Sequence, residues 1–574
     1  MSPNNSLGEY FYNMSSDHRR ALFWLMSISA SLILVGLGLR DPWPADEPRF
    51  ALVAKEMVDT GQWFFPARAQ ELYPDKPPIF MWSIAFFYWL TSSINVAFLI
   101  PSALSGLLTV FLVYDIGRKL WSTQVGFIAG LLLTFSIQFM LQAKTAQIDA
   151  MVCTWITLGC YGLLRFTLFD GKWRWYFIAW FFMGIGVITK GVGFLPLLML
   201  IPYILLRLSG KQYAQAPIIT HHWFWYLGPL VMLIAISLWF LPMMWLVDQS
   251  QNPLYEVYRD NILFKQTVTR YANSWHHIKP FWYYLTSVIP VFWLPISLAL
   301  PWLVKPWCKA IKQLDARIIL PLSWIMLVIL FFSLSSGKRG VYVLPALPML
   351  ALITAPYFAQ LLKSKVLVSL VWTTVGLLST AFVVFALAGF ADVSFTVGIS
   401  DKYNIVPWLF FLIIGGAGIF SCAWCFKGKK WQSWPIFITV LWGVYSSLGY
   451  QLLNDVRTPK NIYREVSNII EPDAEVALVD FSEQFILFSP YPITHFGYHT
   501  QHQKQLAAAW EWQKTQPQRY VIMNYELVTD CFDKNKAMHL GFAHRVDWVL
   551  LNAASRLDSC TQAPENLPEY RYGY

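Results

Sequence analysis

Apolar residues run in long blocks along this chain, separated by short polar stretches. A helix that crosses a membrane needs about 20 apolar residues. Blocks of that kind fall at 21–39, 96–116, 125–141, 150–168, 175–188, 192–206, 223–246, 282–303, 318–334, 341–361, 366–390, 405–426 and 434–452. The pattern predicts an α-helical polytopic membrane protein with about thirteen transmembrane helices. A further apolar run at 79–90 is short for a crossing, and counting it would reverse the side of every later loop; it is assigned to the membrane surface or a re-entrant segment. From residue 454 the pattern changes. Short strand-like runs at 475–481, 485–488, 519–523 and 546–551 surround a polar helical stretch at 503–515. They predict a small soluble α/β domain over 454–574, following a transmembrane domain over 1–453.

Composition agrees with the membrane reading and sharpens it. The chain is 56% hydrophobic and only 13% charged, where a soluble protein carries about 25% charged residues. Its 29 Trp residues suit the aromatic belts at membrane interfaces. The net charge of +10 is accounted for largely by basic loops, so nucleic-acid binding is not expected. No small-residue cleavage site follows the first apolar block; Arg40-Asp41-Pro42-Trp43 does, which marks an uncleaved first span.

With the N-terminus inside, the loops bearing Arg118-Lys119, Arg165 to Arg174, Arg207 to Lys211, Lys305 to Arg317, Lys363 to Lys365 and Lys427 to Lys430 all fall on the cytoplasmic side. The loops 40–78, 142–149, 247–280 and 335–340 then face outward, as does the tail. Cys531 and Cys560 lie in that outward tail, where a disulfide is permitted but not required. Cys422 and Cys425 form a CxxC inside an apolar block and are expected to pack rather than react.

The outward loops carry charges that topology does not call for. Cations appear at Arg49, Lys76, Arg270, Lys338 and Arg339, with Lys190 between two spans and Tyr342 nearby. Carboxylates accompany them at Asp46, Glu47, Asp75 and Asp149. Structural salt bridges would account for some of these residues singly. Collectively, an outward basic cavity reads as a site for phosphate or pyrophosphate, bound by charge-assisted hydrogen bonds. Asp46 precedes Pro48 and a helical pattern, so it also has the place of a helix N-cap. Asp149 has the same ambiguity at the start of the block 150–168, and Lys190 could snorkel to the interface.

Six segments carry a resemblance: PADEPRFALVAKEMVDTGQW, LYPDKPPIFMW, AQIDAM, TKGVGFLPL, QTVTRY followed by HHIKPFWYYL, and SLSSGKRGVYVLPALPMLAL, spanning roughly residues 22–362. In that order they resemble the GT-C membrane glycosyltransferases of the protein-mannosyltransferase superfamily, most closely the bacterial lipid A aminoarabinose transferases. The resemblance implies a multi-pass protein of the bacterial inner membrane, a monomer with its active site on the periplasmic face. It implies transfer of a sugar from a polyprenyl (undecaprenyl) phosphate donor to lipid A or a related envelope glycolipid. Asp46 stands where the family's key acid does and takes the role of base, with Glu47 and Asp149 as companion acids. Arg49, Lys76, Lys190, Arg270, Lys338, Arg339 and Tyr342 take the donor phosphate.

One departure concerns metal. The aminoarabinose transferases carry a glutamate associated with zinc where this chain has Asp75; His276 and His277 are the available partners for a metal there. Two other functions fit the sequence less well. A protein O-glycosyltransferase would use the same donor. A transporter or flippase of polyprenyl-linked lipid should place charges near the bilayer midplane and show repeat symmetry, whereas here the charges gather at one face.

Overall fold

A computed structural model describes residues 17–169, 171–209, 221–263, 278–560 and 567–573. Among them, seven helices are long and apolar enough to cross a membrane: Ile94–Leu120, Ile148–Leu168, His222–Ser250, Ala316–Leu334, Lys365–Phe390, Trp408–Cys425 and Lys430–Arg457. The number rises to nine if two bent pairs are each one span. Thr123–Thr134 with Ile137–Ala143 bends by 73°, and Tyr284–Phe292 with Ile296–Lys312 by 109°. Shorter apolar helices occupy Ile79–Thr91, Leu195–Leu208 and Ala346–Leu362. Ile148–Leu168 is the centre of the bundle, with 83% of its apolar window buried, whereas Lys365–Phe390, at 17%, presents most of its surface outward.

The first helix, His18–Leu34, starts at Asp17, whose carboxylate accepts the Arg19 N–H. It stops five residues short of the apolar block. Gly36 and Gly38 both adopt left-handed backbone, and a Cβ at Gly36 would stand 2.1 Å from the Ser446 carbonyl oxygen. The glycine thus lets the end of the first helix touch the span Lys430–Arg457. The helix leaves carbonyls without intrahelical partners, and Lys144 satisfies them: its Nζ donates to the carbonyls of Leu32 (2.9 Å), Ile33 (3.1 Å) and Val35 (2.8 Å). A cation at this end also meets the negative pole of the helix dipole.

The loop that follows holds a helix, Glu47–Thr60, and a two-stranded hairpin of β1 (Ala67–Arg68) and β2 (Glu71–Leu72). The tail forms a six-stranded sheet from β3 (Val476–Leu478), β4 (Ile493–His495), β5 (Tyr520–Asn524), β6 (Met538–Ala543), β7 (Val546–Leu551) and β8 (Tyr570–Tyr572). The strand order is β6-β7-β5-β3-β4-β8, with β3 parallel to both β4 and β5 and the other pairs antiparallel. The expected helix appears as His502–Thr515.

The run at 485–488 is not a strand but part of the helix Glu483–Leu487, with Phe485 fully buried. A four-residue apolar run carries no periodicity that separates the two states. Cys531 and Cys560 are joined by a disulfide, while Cys422 and Cys425 are buried free thiols. One apolar core of the sheet takes in Leu52 and Ala69 from the first loop beside Ile462, Phe485 and Trp548. The tail is therefore packed onto that loop.

Candidate functional site

Glu47–Thr60 begins with Pro48 in its first turn, which fixes where the helix starts. Asp46 occupies the cap position, yet its side chain makes no cap hydrogen bond; only its backbone carbonyl accepts the Phe50 N–H. The carboxylate faces two guanidiniums instead. Arg339 Nη2 donates to Asp46 Oδ2 at 3.1 Å, and Arg49 Nη1 lies 3.8 Å from Oδ1. The capping role that the sequence allowed for Asp46 is thus not the one its side chain takes.

Glu47, the adjacent acid, points the other way. Arg40 grips it with both Nη1 and Nη2, and the backbone N–H groups of Trp43 (2.8 Å) and Ala146 (2.9 Å) also donate to it. Arg40 is itself buried, with the rings of Trp43, Phe98 and Tyr450 around it. Four donors on two oxygens leave Glu47 saturated. Glu47, which the resemblance makes a companion acid, thereby ties the first loop to the loop at 142–149.

Asp149 sits in the first turn of Ile148–Leu168 without capping it and pairs with Lys190 Nζ. Lys190 ends the helix Trp173–Lys190 and lies 5.1 Å from the centre of the Tyr342 ring. Arg339 joins the two acids. Burial by itself would lower its affinity for a proton, but the charges of Asp46 and Asp149 outweigh that and raise it. Asp46, Arg339, Asp149, Lys190 and Tyr342 therefore form one electrostatic cluster built by four segments distant in sequence.

The loop at 335–343 is held from below. Gln138 donates to the Gly340 carbonyl (2.8 Å) and accepts from Trp293 Nε1 (2.6 Å). Lys338 turns inward, its Nζ donating to the carbonyls of Lys279 and Ser335. Of the two neighbours in Lys338-Arg339, only Arg339 faces the acids, whereas Lys338, to which the resemblance gives a phosphate role, fastens two loops together here.

On the tail side, Glu483 Oε1 accepts Arg49 Nε at 2.7 Å and Arg68 Nη1 at 3.0 Å. Tyr73 lies within the electrostatic reach of Arg49, Asp75, Arg68 and Glu483, which brings the Asp75-Lys76 segment to the same neighbourhood. Lys76 donates to the Asp75 carbonyl at 3.0 Å. Arg270, His276 and His277 lie outside the described residues. Among the described residues no three His, Cys, Asp or Glu side chains are grouped to hold a metal, and Asp75 is the one described member of the metal set named above. Glu483 and Arg68 had no motif to announce them.

The hairpin that carries Arg68 turns through Ala69 and Gln70, both in left-handed backbone. Glu56 accepts the Gln70 N–H (2.7 Å), and His495 Nε2 lies 2.8 Å from the Ala69 carbonyl oxygen. Burial pushes the Glu56 carboxyl up to about 7 against these backbone hydrogen bonds, and burial pushes His495 down to about 4. Glu56 binds its proton more tightly folded than unfolded, so its contribution is present below about 4.5 and lost as the pH rises through about 7. His495 has the opposite sign: its contribution is lost on acidification from about 6.5 to about 4. Glu56→Gln is expected to stabilise the hairpin at pH 8 by roughly 1–3 kcal/mol and by much less at pH 5. Hydrogen exchange of the 69–72 amides checks this.

The described residues form a helical bundle with a sheet-bearing tail, and Asp46 lies between Arg49 and Arg339 near where the two meet. The fold matches ArnT of Cupriavidus metallidurans, crystallised bound to undecaprenyl phosphate, at a TM-score of 0.70 and 16% identity over 92% of this chain and 97% of that one. It also matches the Archaeoglobus fulgidus oligosaccharyltransferase at a TM-score of 0.51 and 12% identity, over 88% of this chain and 70% of that one.

In sequence, the dolichyl-phosphate-mannose-protein mannosyltransferase family matches residues 75–241. The undecaprenyl phosphate-alpha-4-amino-4-deoxy-L-arabinose arabinosyl transferase of Serratia proteamaculans is 27% identical over 360 residues, 60% of each chain. A protein of that name in Pseudomonas fluorescens is 31% identical over 343 residues, 58% of this chain and 59% of its own. The chain thus aligns with about 60% of the length of these relatives. The chain is similar to these proteins in both sequence and fold, and it is a multi-span membrane protein.

Proposed function

We propose that this protein is an inner-membrane glycosyltransferase that moves a sugar from an undecaprenyl phosphate donor to lipid A or a related envelope glycolipid, at the periplasmic face. The observation that carries this reading is the Asp46 carboxylate, uncapped and held at 3.1 Å by Arg339, inside a fold shared with ArnT. An acceptor oxygen attacks the anomeric carbon, and its proton passes to Asp46. The bond from that carbon to the phosphate oxygen breaks, and the polyprenyl phosphate leaves with the electron pair. Cations meet the charge that grows on it. Arg339, whose side chain is 38% exposed and spends one donor on Asp46, and Lys190 beside Tyr342 are assigned to this task, with Lys76 and Arg270 by resemblance. Arg49, taken by two carboxylates, is assigned to Asp46 rather than to phosphate.

Thirteen crossings, with 454–574 as a periplasmic domain, complete the proposal. The seven long helices, the two bent pairs and four further helices (His18–Leu34, Trp173–Lys190, Leu195–Leu208 and Ala346–Leu362) supply them. Parity supports the count. Glu47 bonds Ala146, Asp46 bonds Arg339 and Arg49 bonds Glu483, so an even number of crossings must separate each of those partners. Two, eight and twelve do so, provided that Ile79–Thr91 does not cross.

The test is mass spectrometry of envelope lipids from cells lacking the protein, then restored with wild type. A pentose-sized amino-sugar mass on lipid A, lost on removal and regained on restoration, is the expected result. Lipid A unchanged in all three would refute the acceptor. With purified protein, Arg339→Gln is expected to lower kcat/KM for the donor about tenfold to a hundredfold; wild-type kinetics would remove Arg339 from the phosphate site.

A further inference from the structure

Arg49 is held at both ends, and the two ends are unequal. Its Nε donates to Glu483 at 2.7 Å, while its Nη1 stays 3.8 Å from Asp46, beyond hydrogen-bond distance. The stronger grip comes from the tail, 434 positions away in sequence. Glu483 is buried and is fixed in turn by Arg68, which donates to the same Oε1 at 3.0 Å. Arg68 is almost wholly enclosed, its guanidinium 3.8 Å from the Tyr498 ring centre and near those of Tyr73 and Phe481. This chain of contacts runs from the tail sheet and the hairpin to within one side chain of Asp46.

We infer that Glu483 is a positioning residue for the transfer reaction: it draws Arg49 back so that Asp46 keeps a single close cation, Arg339, and an oxygen directed at the acceptor. The inference rests on the reading of Asp46 as the base. A planar guanidinium can offer two parallel donors to one carboxylate. Arg49, three residues after Asp46 in the first turn of the helix that Asp46 precedes, would close onto it if nothing competed. A fully engaged Asp46 would be a poorer proton acceptor and would be turned from the acceptor, and an error of about 1 Å at a reacting group can cost roughly 100-fold in rate. Glu483 supplies the competing charge. The tail thereby contributes to the chemistry through Arg49, without touching substrate.

The test uses the full-length protein purified in nanodiscs, with a synthetic polyprenyl phosphate sugar as donor and lipid A as acceptor. Glu483→Gln keeps the shape and removes the charge; kcat is expected to fall at least about tenfold with donor KM within about twofold. Glu483→Asp, which restores the charge, is expected to recover most of that loss. Arg49→Lys keeps the positive charge but has no Nε–H, and should reproduce the kcat loss; the double variant should be no worse than either single one.

A folded Glu483→Gln protein with wild-type kcat, or a loss seen only in KM, would overturn the inference. So would a Glu483→Asp protein that is folded and no better than Glu483→Gln. If Glu483→Gln does not fold, because Arg68 is left without its counter-charge, Arg49→Lys decides: wild-type kcat there overturns the inference. Asp46→Asn in the same assay separates the two ideas. Activity in Asp46→Asn would sink the base itself, whereas inactivity there beside normal Glu483→Gln and Arg49→Lys kinetics would sink only the role of Glu483.

Discussion

Asp46→Asn is expected to abolish sugar transfer while leaving the protein folded and inserted. Asparagine has nearly the same shape but cannot take the acceptor's proton, and loss of a general base costs about 100- to 10,000-fold. The stability effect should be small. The Asp46 side chain is 19% exposed, makes no cap hydrogen bond, and pairs with Arg339 and with Arg49, which also holds Glu483; partly exposed ion pairs contribute about 0–1 kcal/mol. Turnover with the purified variant, read beside its melting temperature, is the measurement. Activity within tenfold of wild type would exclude Asp46 as base. A large fall in melting temperature would mean that the carboxylate holds the loop rather than serves the reaction.

Glu47→Ala is expected to do the reverse, although the residue is next door. It strips a buried carboxylate from Arg40, from Trp43 N and from Ala146 N in one step. Removing one partner of a buried ion pair costs about 3–5 kcal/mol, because the other charge remains in a low-dielectric place. The variant should express poorly and melt early, with transfer lost in proportion to folded protein. Glu47→Gln, which keeps one acceptor oxygen and loses the charge, should fall between. Normal stability in Glu47→Ala combined with complete loss of transfer would return Glu47 to the reacting centre. The pair of variants thus distinguishes two carboxylates that a sequence reading treats alike.

Their difference has a simple physical origin. At 46 and 47 the side chains leave the start of a helix about 100° apart, so one can face the cluster of Arg339 and Asp149 while the other faces the interior. Which one does so depends on where Arg40 and Arg339 arrive, and those come from other spans. The same limit explains Lys338-Arg339. Both cations sit in one loop, and only the carbonyls of Lys279 and Ser335, placed by packing, decide that Lys338 turns inward. It also explains why no sequence pattern marks Glu483: it lies in a tail without motifs, and its function exists only because that tail docks on the first loop.

By itself, the sequence determined what depends on local composition and spacing. Long apolar blocks can be satisfied only by helices in a membrane, since lipid offers no partner for a free backbone, and loops rich in lysine and arginine fix which ends face inward. The order of six motifs carried the resemblance, and with it the expectation of one site drawing on Asp46, Glu47 and Asp149 together with Arg49, Lys76, Lys190, Arg270, Lys338, Arg339 and Tyr342. The tertiary structure alone decided which charges meet. It ended the first helix at Leu34, bent two apolar helix pairs, made a helix of most of the run at 485–488, and joined Cys531 to Cys560. It set Asp46 between Arg49 and Arg339 and brought Glu483 to Arg49 across the whole length of the chain. Hydrophobic patterning specifies which surfaces are buried, whereas the strength of an ion pair depends on distances of a few ångströms and on the exclusion of water, and only the packed chain sets those.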